Sequence, residues 1–518
     1  MSSFLDEVFS IVGGAIDHCG WADKAATKIV IDKLVASAPT RPHPWSTASD
    51  YTSWKSLTDK TYQGRQLPAT DLGALPDIGA VVALFARAPG QQRMSDKSTC
   101  LFPAFAQYLT DGFIRTDPNN TAKTTSNHEI DLCPLYGRTE AQTLALRLLD
   151  PTLGQRGRLK SQTINGEEYS PYYYLRDGSG ADPQFVALDK PLLGPRHMPD
   201  PPVERLLTLF ALGGDRANST PFTAMMNTLL LREHNRVAGE LERQNPGWDD
   251  ERVFQTARNI MIPMFIKIVV EQYINHITPA PFNLIADPSV AWDANWNRPN
   301  WMTAEFSLLY RWHSLMPDDI QWPTGPIPLQ NFLLDNRPLT SVGLAKAFLA
   351  AASQPTAELG AFNTGAALLP IEWLAIKQGR DNRLASYNAY RAVYGLNPAE
   401  AFSDISSNPR VVELLTATYG DVSKVEFYPG LFAEDRIAKS PLPSLLMTMV
   451  GVDAFSQALT NPLLSEHVFN AATFTPWGLD LITQTHSLGD ILKRQGAITD
   501  TTTVTMTQPT WHYGWHSP

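Results

Sequence analysis

A chain of 518 residues with 43% hydrophobic and 18% charged side chains carries enough apolar surface for a large folded core, which excludes a disordered or fibrous protein. Lys plus Arg total 42 against 52 Asp plus Glu, a formal charge of −10, and with no zinc finger or basic stripe a nucleic-acid partner is not expected. Three cysteines, Cys19, Cys100 and Cys133, with no CxxC pair, exclude a disulfide framework and fit a reducing, cytoplasmic setting.

Along the chain, Phe4, Val8 and Ile11, then Ile29, Ile31 and Leu34, recur at helical spacing and predict one or two amphipathic helices packed on the body. Asp6 and Glu7 stand where a secretory signal carries basic charge, and the N-terminal stretch lacks a long uninterrupted apolar core, so neither a signal peptide nor a spanning helix is expected there; a peripheral membrane contact stays compatible. Residues 39–75, rich in Pro, Ser, Thr and aromatics, read as an extended arm. Helices are predicted over 78–88 and 98–115, polar turns over 116–131, and an irregular insert over 160–200 that includes DKPLLGPRHMPDPP. Two long helices follow, over 219–243 and about 250–274. Asp249 and Asp250 cap the second, and Pro263 should kink it. A helix over 302–314 ends before Pro317, and further helices are expected at 341–352, 371–378, 404–418, 443–460 and 478–494. The organisation is a mainly α chain: an N-terminal segment and arm over 1–94, a main body over 95–490 and a tail over 491–518. No interface is legible, so oligomeric state is left open.

In EFSLLYRWHSLMPDD, Tyr310 and His313 are three residues apart. On a helix they would share a face, with about 4.5 Å of axial rise between them. A neutral imidazole can ligate iron while the phenol reaches another part of one cavity; a hydrogen-bonded core pair has the same spacing. His128, His234 and His276 are scattered. HExxH, GxSxG and phosphate-loop patterns are absent, and His512 and His516 sit in a terminal tail that reads as structural.

Several ordered motifs carry a resemblance. LLLREHNRVAGELERQNPGWDDERVFQTARNIMIPMFIKIVVEQY, EFSLLYRWHSLMPDDI, RLASYNAYRAVYGLNP, YGDVSKVEFYPGLFAED and FSQALTNPLLS resemble the animal haem peroxidases, most of all their prostaglandin H synthase and fatty-acid dioxygenase branch. Upstream, LFPAFAQYLTDGFIRTDP and HEIDLCPLYG resemble the distal part of the same catalytic domain, so the likeness runs over about 95–490. The resemblance implies a large helical haem-peroxidase-like domain with long irregular connections. It implies His313 as proximal haem ligand with Trp312 beside it, and Tyr310 as the tyrosine whose radical takes a substrate hydrogen. It also implies distal roles for Gln107 and Arg216, and haem b as cofactor.

The pattern breaks where a distal histidine is expected: four residues after Gln107 stands Asp111. An acid–base role at raised pKa and a purely structural charge are both open for it. Thr110 and Ser219 replace the carboxylates that esterify haem in mammalian peroxidases, implying non-covalent haem. Gly112 follows Asp111 where an acidic ligand would stand, so calcium is not expected. The cysteine-rich module of mammalian prostaglandin synthases is absent. The resemblance places Ser456, with Phe455 beside it, at the substrate channel, a helix-packing serine being equally open, and Phe427, Tyr428 and Leu431 fit either channel or core. The implied activity is dioxygenation of an unsaturated fatty acid or similar apolar molecule, started by a hydroperoxide and consuming dioxygen. A peroxidase or peroxygenase-like enzyme using Asp111, and a haem-binding sensor or degraded homologue, are the alternatives.

Overall fold

The computed structural model describes residues 20–36, 59, 61–192, 201–279, 282–297 and 302–511. Phe4, Val8 and Ile11, most of the predicted arm, residues 193–200 of the proline-rich insert, and the tail with His512 and His516 lie outside the described residues. The fold is mainly helical. Its strands form four two-stranded antiparallel sheets among the described residues.

Helix α1 (Gly20–Ala36) packs on a C-terminal helix, and Lys24 and Lys28 tie it to Asp287 and Asp293. Strand β1 (Met94–Thr99), absent from the sequence expectation, pairs with β2 (Pro355–Ala357) and delivers the chain into α2 (Leu101–Asp111). Cys100 N–H donates to Gln354 O at 3.0 Å, so α2 starts from a fixed point. Every residue of α2 except Gln107 is buried.

The long helices form the centre. Helix α3 (Pro221–Gln244) starts on a reciprocal cap: Thr220 Oγ1 accepts from Thr223 N, Thr223 Oγ1 accepts from Thr220 N, and Pro221 takes the first helical position. It packs against both α2 and α4 (Asp250–Ile268), which begins at the Asp249 cap and keeps Pro263 inside. After α4 the chain widens into a π-helical turn over Val269–Ile274, a departure from the uniform helix expected over 250–274. The stretch Asp250–Ile277 is long and apolar enough to cross a membrane, yet 72% of its apolar window is buried, as in a core helix.

The predicted helix over 302–314 is where structure and expectation part. Only α5 (Phe306–Leu309) is α-helical; Tyr310 and Trp312 leave helical geometry, and His313–Leu315 is a separate 3-10 turn. The cause is local. A continuing helix would give the Leu309 carbonyl to His313 N–H, but the Trp312 indole takes it, with Nε1 donating at 2.6 Å. Beyond, α6 (Leu369–Asp381), α7 (Phe427–Ala433) and α8 (Ser444–Ala458) close the body, with α8 lying between α1 and α5. The helix expected over 478–494 is two, Ala471–Thr483 and Leu488–Arg494.

His234 in α3 fastens the core. Its Nε2–H donates to Gly157 O at 2.9 Å, which leaves Nδ1 to accept from Tyr136 OH at 2.8 Å, the neutral tautomer. Burial pushes its pKa down to about 4. The unfolded chain takes a proton near pH 6.5 and the folded one does not, so stability complete above that pH is lost as pH falls toward 4, by up to about 3 kcal/mol. Chemical unfolding at pH 7 and pH 4.5 is expected to show a smaller pH-dependent loss in His234→Gln than in the native chain; equal losses would refute this role.

Candidate active site

The broken segment after α5 sends Tyr310 and His313 to different surroundings. Tyr310 stacks on Trp312 (centroids 5.0 Å apart, 29° between planes) and meets Phe306 at 5.0 Å. Trp312 continues to Phe102 of α2 at 5.4 Å and to Tyr273 at 6.4 Å. Tyr273 comes from the π-helical turn, and Phe102 stacks on it. Burial, with the Asp453 carboxylate second, pushes the Tyr310 phenol upward, while interaction with the Tyr273 phenol eases it back. The phenol is therefore neutral at any working pH.

A polar layer behind α5 holds this arrangement. Glu305 at its N-cap accepts from Gln66 N at 3.0 Å and Tyr390 OH at 2.8 Å. Gln66 in turn accepts from Tyr394 OH at 2.6 Å and donates to Asp453 Oδ2 at 3.3 Å.

His313 faces the other way. Its Nδ1 is buried 3.2 Å from Glu372 Oε1 on α6, without the angle of a formed hydrogen bond, and has no other partner. Glu372, 1% exposed, accepts from Thr364 Oγ1 at 2.9 Å and from the Tyr428 hydroxyl through Oε2. The ring is 17% exposed although Nδ1 is buried, leaving Nε2 as the nitrogen open to a metal. Among the described residues, no cluster of three or more His, Cys, Asp or Glu side chains converges.

On α2, Gln107 alone keeps exposure, and Asp111 is buried. Asp111 Oδ1 accepts from Arg216 N (3.3 Å) and Nε (3.2 Å), and another Arg216 nitrogen donates to Ile114 O. Glycine permits this: a Cβ on Gly214 would stand 1.9 Å from Asp111 Oδ2, and one on Gly213 would stand 2.2 Å from Cys133 O. Burial pushes the Asp111 carboxyl up, against the pull of the Arg216 charge. The hydroxyls of Thr110 and Ser219 are spent on nearby carbonyls, Gln107 O and Arg216 O. Arg311 links the two sides. Burial, with the Arg216 charge next, brings its pKa down to about 10, and its buried Nε has no partner.

The remaining expected residues lie on α7 and α8. Ser456 is fully buried, its hydroxyl donating to Asp453 O of its own helix, and Phe455 is buried beside it. Leu431 is core. Phe427 packs on Tyr390 at 4.3 Å and lines, with Tyr428, Arg380 and Thr70, a cleft of about 120 Å³ whose walls include neither Tyr310 nor His313. Sequence reasoning missed Glu372, Thr364, Tyr273 and Arg311. Glu372 had a signal, as the one carboxylate in the apolar run LLPIEWLAI.

Residues 107–507 match the animal haem peroxidase family. Prostaglandin G/H synthase 2 of Equus caballus is 32% identical over 461 residues, 85% of this chain and 71% of that protein. Prostaglandin G/H synthase 1 of Rattus norvegicus is 31% identical over 463 residues, 86% and 72%. Among solved structures, fatty acid alpha-dioxygenase of Oryza sativa superposes with a TM-score of 0.69 at 17% identity, covering 97% of this chain and 95% of that one. Peroxidase A of Dictyostelium discoideum gives 0.64 at 19% identity, covering 91% and 94%. Likeness at these identities speaks for the fold.

The Asp111–Arg216 pair has one buried and one partly exposed member, so its loss should cost less than a fully buried pair, about 2 kcal/mol. Asp111→Ala is expected to lose that much in denaturant unfolding, and Asp111→Asn, which keeps a hydrogen-bonding oxygen, to lose less. No change in either variant would remove the pair from the architecture of the site.

Proposed function

Because the chain belongs to the animal haem peroxidase family, we propose that it is a haem-dependent dioxygenase inserting O2 into an unsaturated fatty acid or similar apolar substrate through a Tyr310 radical. The observation that carries this reading is the Tyr310 ring, partly buried against Phe306 and stacked on the tryptophan that directly precedes His313.

The residues present fit a haem. His313 would hold it through one nitrogen, with a buried carboxylate behind the other, and among the described residues no cluster of three or more His, Cys, Asp or Glu side chains competes as a metal site. Arg311, whose buried Nε has no partner, would supply a positive charge for acidic groups of the cofactor. With no carboxylate at Thr110 or Ser219, attachment is non-covalent. When bound, haem supplies the oxidising equivalent drawn from a hydroperoxide.

Tyr310 gives up an electron and its phenolic proton, both consumed in reducing the hydroperoxide to an alcohol and water. Its raised pKa makes the neutral phenol the species that reacts. The phenoxyl oxygen then takes a hydrogen atom from a bis-allylic carbon and becomes a phenol again. Dioxygen adds to the carbon radical, and the peroxyl radical recovers a hydrogen atom from Tyr310, giving a hydroperoxide and restoring the tyrosyl radical. The rings of Phe306 and Trp312 cover part of Tyr310. Exposed Trp21 and Ile29 on α1 are the side chains that would meet a membrane surface in a peripheral contact.

A second reading is favoured by Asp111, whose raised pKa favours a proton-holding carboxyl: a peroxidase in which Tyr310 only packs. Haem-loaded protein with a panel of polyunsaturated fatty acids is expected to take up oxygen and add two oxygen atoms to product, and Tyr310→Phe is expected to fall to background. Phenol oxidation that survives Tyr310→Phe and is lost in Asp111→Asn would select the peroxidase instead. Haem binding with neither activity would select a sensor. His313→Ala is expected to change the haem absorption spectrum, and an unchanged spectrum would remove it as ligand.

A further inference from the structure

The carboxylate behind His313 is built too deliberately for a packing residue. Glu372 lies in the first turn of α6, where the N-terminal end of a helix favours negative charge. It is 1% exposed, and two neutral hydroxyls, Thr364 Oγ1 and Tyr428 OH, hold its two oxygens separately. Those donors come from the segment before α6 and from α7, so three parts of the chain fix one carboxylate. The third neighbour is His313 Nδ1 at 3.2 Å, itself buried and without another partner. A small rotation of the ring converts that approach into an N–H···O bond, and nothing else is placed to satisfy the Nδ1 donor.

We infer that Glu372 is the positioning residue for the proximal histidine, accepting the Nδ1–H of His313, fixing the ring's orientation and making Nε2 a more electron-rich donor to the metal. This rests on reading His313 as the haem ligand. A carboxylate behind a ligating imidazole raises the ligand's basicity and lowers the reduction potential of the metal it holds. Tyr428 and Thr364 share the carboxylate's lone pairs, so they set how much of that charge reaches the imidazole. Tyr428 OH also lies 3.4 Å from Arg311 O, which ties the same network to the backbone between Tyr310 and His313.

The test is resonance Raman spectroscopy of the ferrous haem-loaded full chain, with the midpoint potential as a second readout. In the native protein the iron–histidine stretch is expected at higher frequency than in ferrous haem bound to plain imidazole in water; a frequency equal to that reference would overturn the inference without any variant. Glu372→Gln keeps shape and removes charge, and should move the stretch to lower frequency and the potential upward while the haem stays bound. Glu372→Asp should recover part of the shift. Tyr428→Phe and Thr364→Val leave the carboxylate in place and should not lower the stretch. A native-like stretch and potential in Glu372→Gln would overturn the inference. If instead His313→Gly retains the native band, His313 is not the ligand and the underlying reading fails with it, a result separable from failure at Glu372 alone.

Discussion

The hydrogen bond from the Trp312 indole to the Leu309 carbonyl is the constraint on which the site depends. Without it the helix begun at Phe306 would run on through His313, and Tyr310 and His313 would lie on one face, stacked a turn apart. With it, the helix stops after Leu309, the backbone swings through Tyr310 and Trp312, and the phenol and the imidazole project to different sides of the same short segment. One indole thus does three things. It ends the helix, offers its ring face to Tyr310, and places His313 where α6 presents Glu372.

Tyr310 is partly buried, with the rings of Phe306 and Trp312 on it and Tyr273 stacked on the far side of Trp312. Tyr273 reaches this position from a π-helical turn at the end of α4, a local widening of the kind that recurs at functional sites. On the α2 side the arrangement is different. Asp111 occupies the place of an acid–base residue but gives one oxygen to Arg216, and the double glycine of the GGDR loop lets that loop approach closely enough for the pair to form. Any catalytic use of Asp111 therefore competes with its bond to Arg216.

Much of this was legible in the sequence, and what was not has a physical reason. The long helices α3 and α4 announced themselves through apolar periodicity and the Asp249 cap. The run containing Tyr310, Trp312 and His313 stood out as a motif, but its conformation did not. Propensity favours a helix through LLYRWHSL, and only a side-chain bond to the main chain, invisible to periodicity, overrides it. The strand Met94–Thr99 was hidden because its partner lies more than 250 residues away. Glu372 could be noticed as a lone charge in an apolar run, yet its relation to His313 depends on how α6 folds back on the segment after α5. Ser456, open in the sequence to either a channel or a helix-packing role, bonds the main chain of its own helix.

The buried acids near the site are stabilised in two ways, and the difference bears on what each can do. Asp111 is held by an arginine, which neutralises it locally and confines its field. Glu372 and Glu305 are held by neutral donors: threonine and tyrosine hydroxyls for the first, a backbone amide and a tyrosine for the second. Neutral donors satisfy both oxygens of Glu372 without cancelling its charge, whereas both donors to Glu305 meet one oxygen and leave the other unpartnered. Near Tyr310, the Asp453 carboxylate opposes the phenolate. Arginine charge still reaches both acids through space, Arg311 at Glu372 and Arg65 at Glu305. The difference is one of contact: Asp111 bonds its arginine directly, whereas the bonds to Glu372 and Glu305 come from neutral groups.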